Sequence, residues 1–162
     1  MSTEAELKKF NEIHLERCGH PVELLSFYAE VIADALVLPD CASKEVAYSL
    51  LESLRQGAAE VLDMEISDLQ VQVIAKPDSD LVDGILYDPM PGGSGLLEQL
   101  LEHWPRIVAS ARALVEECPS ACETSCVDCL QHFRNSFYHD SLNRHTALDY
   151  YRAQGEGLRY YS

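Results

Sequence analysis

The sequence predicts a fold of helices packed on a small sheet, the α+β class, from three observations. Leu69-Gln70-Val71-Gln72-Val73-Ile74 alternates apolar and polar residues with period two. After a Lys76-Pro77-Asp78-Ser79-Asp80 turn, a second apolar run extends from Leu81 to Tyr87, the pattern of an antiparallel strand pair. Residues 43–62 and 96–115 instead repeat apolar side chains at helical spacing. Four cysteines then crowd into residues 118–129, too closely for chance use of core thiols.

Taken in order, residues 1–17 place Leu7, Phe10 and His14 at helical spacing in a polar background, a marginal amphipathic helix broken at Gly19-His20-Pro21. This gives an N-terminal helical extension over residues 1–19 and a single domain over residues 20–162. Residues 22–38 are ambiguous. Leu25, Tyr28, Ala29, Ile32 and Leu36 would line one helical face, whereas the apolar run 35–38 before Pro39 equally suits a buried strand. Ser43 caps a helix running to about Leu62, with Glu45 near its positive end and Val46, Leu50, Leu54, Ala58 and Val61 along one face. Beyond the strand pair, Pro89-Met90-Pro91-Gly92-Gly93-Ser94-Gly95 turns into a helix whose Leu96, Leu97, Leu100, Leu101 and Trp104 face a core. Pro105 kinks or restarts it. The restarted piece carries Ile107, Val108, Ala111, Leu114 and Val115 to Cys118, and a last helix spans residues 141–154 with Leu142, Leu148 and Tyr151 inward.

The 162 residues include 12 Lys plus Arg and 27 Asp plus Glu, a formal net charge of −15, which disfavours wrapping a phosphate backbone. The charge is uneven. Residues 1–117 hold 22 acids and 8 bases, while residues 118–162 hold 5 acids and the 4 bases Arg134, Arg144, Arg152 and Arg159. No window reaches about 18 uninterrupted apolar residues, and the acidic start lacks the basic-then-apolar run of a secretory signal, so a soluble, cytoplasmic protein is expected.

The spacing Cys118-x3-Cys122-x3-Cys126-x2-Cys129 lets four sulfurs converge on one ion, since loops of two to four residues bring thiolates together without strain. Thiolate softness selects zinc or iron–sulfur over magnesium or calcium. Zn2+ is the expected cofactor, with an iron–sulfur cluster, a redox dithiol, two disulfides or four buried thiols as the competing readings. Four sulfurs complete a tetrahedron, so such a site organises the fold and activates no water. His132, three residues after Cys129, could replace one thiolate.

Two further segments carry candidate chemistry. Asp88 with Gly92, Gly93 and Gly95 sits between a strand and a helix, where backbone N–H groups can hold an anion, but no Walker lysine is present. The simpler reading is a structural turn with Asp88 bonded locally. Residues 133–145 mix aromatics with Arg134, Asn135, His139 and Arg144. They read either as a nucleic-acid contact or as support for the metal loop, with Phe133 and Phe137 packed under the knuckle and the polar groups bonded to backbone carbonyls.

The stretch Leu86–Leu97, the quartet ending Cys126-Val127-Asp128-Cys129-Leu130, the run Phe133–His139 and Leu142-Asn143-Arg144 together resemble domain-of-unknown-function family 1998, the Mrf zinc-binding (MZB) domain. The likeness reaches upstream to residues 33–38 and 48–58 and covers about residues 20–155. It implies that residues 33–38 form a strand. The expected fold is then α/β (α+β): a small mixed, largely antiparallel sheet packed by helices, with a C-terminal four-cysteine zinc knuckle over residues 118–129. The resemblance further implies zinc ligands at Cys118, Cys122, Cys126 and Cys129. It also implies a non-catalytic role beside superfamily 2 DNA helicases or defence-complex proteins in bacterial DNA repair and anti-phage defence. The chain itself carries no helicase motor, so the helicase or defence-complex protein is expected as a partner on another chain or region, with DNA touched only through the C-terminal arginine and aromatic segment, and no membrane. A metal-assisted nuclease using Asp88 and His139, and a protein scaffold without DNA contact, are the competing functions.

Overall fold

A computed structural model describes Glu30 and residues 32–154. The expected extension over residues 1–19 and the ambiguous stretch 22–29 lie outside the described residues. Strand β1 (Ala35–Cys41) leads through Ser43 into helix α1 (Lys44–Leu62), whose Val46 N–H is accepted by the Ser43 hydroxyl at 3.2 Å. The helix ends where Asp63 takes a left-handed conformation and donates its N–H to Ala59. Strands β2 (Gln70–Ala75) and β3 (Val82–Tyr87) follow as the period-two pattern predicts, joined by the 76–81 turn. The strand reading of 33–38 therefore holds from Ala35, and the strand does not stop at Pro39. β1 lies at the sheet edge, where a missing N–H is tolerated, and a bulge with Asp40 at φ 55° carries it on to Cys41.

The sheet order is β1-β3-β2, antiparallel throughout. Its register puts Leu86 of the central strand between Leu36 and Val71, so one face presents a continuous apolar row to α1. Helix α2 (Leu96–Glu102) stops at His103, and α3 (Trp104–Glu116) restarts with Pro105 in its first turn, where a proline costs no intrahelical bond. Trp104 thus belongs to the second helix, though it is buried as expected. Residues 133–141 form 3-10 turns, and the last helix, α4 (Arg144–Gln154), begins three residues later than the sequence pattern suggests. Asn143 caps it, its side-chain oxygen accepting from His145 N–H at 3.0 Å.

Helix α1 is the centre of the described fold. The sheet covers one side and α3 and α4 cover the other, so burial extends well beyond the single predicted face to Ser49, Glu52, Ser53 and Arg55. The Ser53 hydroxyl donates to Leu50 O and meets the Tyr151 hydroxyl at 2.7 Å, satisfying both buried groups. At the α1–α3 crossing a Cβ on Gly57 would lie 2.8 Å from Ile107 O and 2.9 Å from Ala111 N. Both are backbone atoms of a packed helix and cannot swing aside. Gly57→Ala is accordingly expected to destabilise by about 1–3 kcal/mol in spite of alanine's higher helix propensity. Chemical denaturation checks this, and a neutral or stabilising result would contradict so close a crossing.

Candidate metal centre

Helix α3 delivers Cys118 to the site, and two tight turns bring the other thiols back to it. Ala121 N–H donates to Cys118 O at 2.9 Å, with Ala121 at φ 45°, and this turn returns Cys122. In the second turn Cys129 N–H and Gln131 N–H both donate to Cys126 O, while Cys126 N–H points at the Cys129 sulfur at 3.3 Å. Sulfur–sulfur separations are 3.8 Å for Cys118–Cys122, 3.5 Å for Cys118–Cys126, 3.7 Å for Cys122–Cys129 and 3.8 Å for Cys126–Cys129. Four sulfurs at about 2.3 Å from a central ion stand about 3.8 Å apart in a tetrahedron, so the quartet fits one metal ion. A disulfide needs about 2.0 Å, and all four thiols are free. Among the described residues these four are the group of ligating side chains whose donor atoms converge.

The loop is pinned from three directions. Arg144, buried, donates Nε to Cys122 O at 2.8 Å and Nη1 to Val115 O at 2.9 Å, while its backbone N–H reaches Thr124 O at 2.7 Å. Gln131 Nε2 bonds Ser125 through both the carbonyl and the hydroxyl. Asn135, fully buried, donates Nδ2 to Leu130 O and accepts from His132 N–H. Cys118 and Cys129 are themselves part of the main hydrophobic core, which also holds Leu130, Leu142 and Leu148.

The model of the MrfA Zn-binding domain family matches residues 50–130. The chain belongs to this family. The Druantia protein DruE of Escherichia coli (strain UMEA 4076-1) is 30% identical over 107 residues, which are 62% of this chain and 6% of that protein. The DUF1998 helicase MrfA, in a crystal structure bound to DNA, aligns with TM-score 0.50 and 21% identity over 67% of this chain and 14% of its own, a likeness of fold. The chain therefore spans a small fraction of the length of these relatives.

As an MrfA zinc-binding domain the protein binds Zn2+, and the convergent cysteine quartet has the donor set and spacing to hold the ion. Burial pushes the Cys129 thiol up to about 12 and raises Cys122, whereas the Cys122 backbone N–H, the largest of several hydrogen bonds, brings Cys118 down to about 7. Zinc takes thiolates, so at pH 8 binding must expel at least the protons of Cys122 and Cys129. Apparent affinity is expected to rise with pH, by at least about 100-fold per unit near pH 8 and more steeply below pH 7, where Cys118 is protonated as well. Competition against a zinc chelator of known pH dependence measures this. A flat profile would mean that the thiols are already ionised without metal.

The other expected site residues divide sharply. Asn135 and Arg144 support the metal loop, and His139 Nε2 reaches Asn135 Oδ1 at 2.7 Å and His132 O at 3.2 Å. Arg134 is exposed. Phe133 and Phe137 do not pack under the knuckle. They are 93% and 82% exposed, while Asn135 and Tyr138 are the side chains of this segment that turn inward. His132 is no ligand in this arrangement; its Nε2 lies 2.9 Å from Glu52 Oε2 and 2.7 Å from Arg55 Nη2. Asp88 is buried, its carboxylate accepting from Met90 N–H and from both the N–H and hydroxyl of Ser94, bonds that hold it below the usual carboxylate range. Gly92, Gly93 and Gly95 all take positive φ, and a Cβ on Gly93 would strike Asp34 Oδ2 at 2.4 Å. The Gly-rich segment is a turn built around Asp88.

Sequence reasoning missed the polar cluster behind the metal loop. Glu52, fully buried on α1, accepts from Arg55 Nη2 at 3.0 Å and from the Tyr138 hydroxyl and lies 2.9 Å from His132 Nε2, and Arg55 Nη1 donates to Leu69 O at 3.1 Å. Glu52 and Arg55 are three apart on α1, a spacing that equally suits an exposed ion pair, so the sequence carries no signal of their burial.

Proposed function

We propose that this MrfA zinc-binding domain is a non-catalytic accessory domain that supports a DNA helicase, or a complex containing one, in bacterial DNA repair or anti-phage defence. The carrying observation is the closed four-thiol site built into the main core: with every tetrahedral position taken by sulfur, the metal serves to shape a surface. The relatives agree in kind, one being a helicase crystallised with DNA and the other a Druantia protein. The nuclease reading is weaker, because the Asp88 carboxylate is engaged by its own loop and His139 by Asn135. A cytoplasmic location follows from such partners.

The test has two arms. The domain is mixed with the helicase polypeptide encoded beside or around it, and ATP-driven unwinding of a tailed duplex is measured with and without the domain. Cleavage of single- and double-stranded DNA is measured with added Mg2+ or Mn2+, for wild type and His139→Ala. Co-purification with stimulated unwinding supports the accessory role. Cleavage lost in His139→Ala would replace it with the nuclease.

A further inference from the structure

We propose that the free edge of β2 takes up an extended segment of a partner protein, flanked by lysine or arginine, as a fourth strand of the sheet. The two edges of this sheet are built differently. β1 carries Pro39, which has no N–H to donate, a bulge at Asp40 and an ion pair from Asp40 to Lys76, the devices by which a sheet edge avoids pairing. β2 has none of them. Its residues Gln70–Ala75 include no charge and no proline, and they pair with β3 in unbroken register from Gln70 opposite Tyr87 to Ala75 opposite Val82. Among the described residues no backbone hydrogen bond reaches the other side of β2, and Gln72, Ile74 and Ala75 are exposed. Along an edge strand alternate residues turn their N–H and C=O groups away from the sheet, so β2 offers a row of donors and acceptors about 20 Å long.

Strand pairing dictates what the side chains of the occupant meet. Val71 and Val73 stand opposite the buried Leu86 and Gly84, so they lie on the side of the sheet that α1 covers, partly buried against the core. Every second side chain of a fourth strand falls beside these two valines, where an apolar residue extends the core. The remaining side chains fall beside Gln72 and Ile74 on the open face, where polar residues are tolerated. Main-chain bonds supply the affinity in this mode, and the alternation sets which segments fit.

Charge selects the partner. Asp63, Glu65 and Asp68 are exposed just before β2, and Asp78 and Asp80 just after it. Lys76, the base that lies among them, is held by Asp40 and Asp83. Both ends of the edge are therefore acidic, and cationic residues on either side of the incoming segment complement them. A second copy of this chain meets the opposite situation. Antiparallel pairing of β2 with β2 about a two-fold axis sets Asp63, Glu65 and Asp68 of one copy toward Asp78 and Asp80 of the other, acid against acid.

The inference stands apart from which larger assembly the domain serves. The zinc-loaded, isotope-labelled chain is titrated in NMR with a synthetic peptide of alternating valine and threonine, about six residues long, between pairs of lysines. Two companion peptides replace the lysines by glutamates or N-methylate the central amides. Expected are amide shifts and slowed hydrogen exchange along residues 70–75, binding at least about tenfold weaker with glutamate flanks, and none with the N-methylated backbone. Ile74→Lys, which puts a protecting charge on this edge, should weaken binding about tenfold, whereas Val37→Lys on β1 should leave it unchanged. Zinc content and thermal midpoint confirm that both surface variants fold. Equal binding of the N-methylated or the glutamate-flanked peptide, unchanged binding in Ile74→Lys, shifts centred on Val37, Ile85 and Tyr87, or no binding up to about millimolar peptide each overturns the proposal. So does a dimer in sedimentation that Ile74→Lys dissociates, which would give the edge to a second copy.

Discussion

Cys129→Ser is expected to abolish zinc binding and to unfold the domain, well beyond loosening one loop. Cys129 is fully buried within the same core cluster as Ile107, Val115, Leu148 and Tyr151. Losing a structural zinc forfeits about 10–16 kcal/mol of binding free energy, against a folding stability of about 5–15 kcal/mol for a typical domain. Circular dichroism should show lost helix signal at room temperature, with less than one zinc per chain by metal analysis. Excess chelator should do the same to the wild type. Cys41→Ser is the matched control: its thiol lies outside the quartet and donates to Leu38 O at 3.4 Å, so zinc stoichiometry should be unchanged. A cooperative thermal transition in metal-free protein would contradict the expectation.

Arg55→Leu should produce the next largest loss, about 3–5 kcal/mol by chemical denaturation in saturating zinc. Glu52 and Arg55 are 0% and 3% exposed, and removing the guanidinium strands a carboxylate in the core with only Tyr138 and His132 to answer it. The same network acts on Tyr138, whose phenol is pushed up by burial first and by the Glu52 charge second. Replacing both ions, as in Glu52→Leu with Arg55→Leu, should cost less than the sum of the single changes, because neither charge is then left alone. Additive costs would mean that the two side chains do not share one bonded cluster. Since His132 follows the knuckle and Glu52 lies on α1, this cluster joins the metal loop to the central helix, and its loss is also expected to weaken zinc retention.

Much of this was legible in the chain because it is local. Ser43 before a helical repeat, the alternation from Leu69 to Ile74, and Pro105 between two apolar helical runs each describe a structure made by residues within a few positions of one another. The quartet is of the same kind. Its turns are closed by Ala121 on Cys118 and by Cys129 and Gln131 on Cys126, all within five residues. The misses are of another kind. One apolar stripe on α1 was visible, but its second buried side holds Ser49, Glu52, Ser53 and Arg55, which no apolar count reveals. Phe133 and Phe137 look like core residues by type and lie on the surface.

The sequence by itself determined the antiparallel strand pair, the capped helix and the convergence of the four thiols, since hydrophobic period, capping oxygens and thiol spacing act over one or two turns of chain. Only the tertiary structure decided the roles of the polar residues. Arg144 finds its carbonyls 22 and 29 positions away, and Glu52 its histidine and tyrosine 80 and 86 positions away. A polar side chain carries the same formula in solvent as in the core. What separates a solvated arginine such as Arg134 from a buried pin such as Arg144 is whether the fold brings unpaired acceptors to it, and that depends on segments far along the chain meeting.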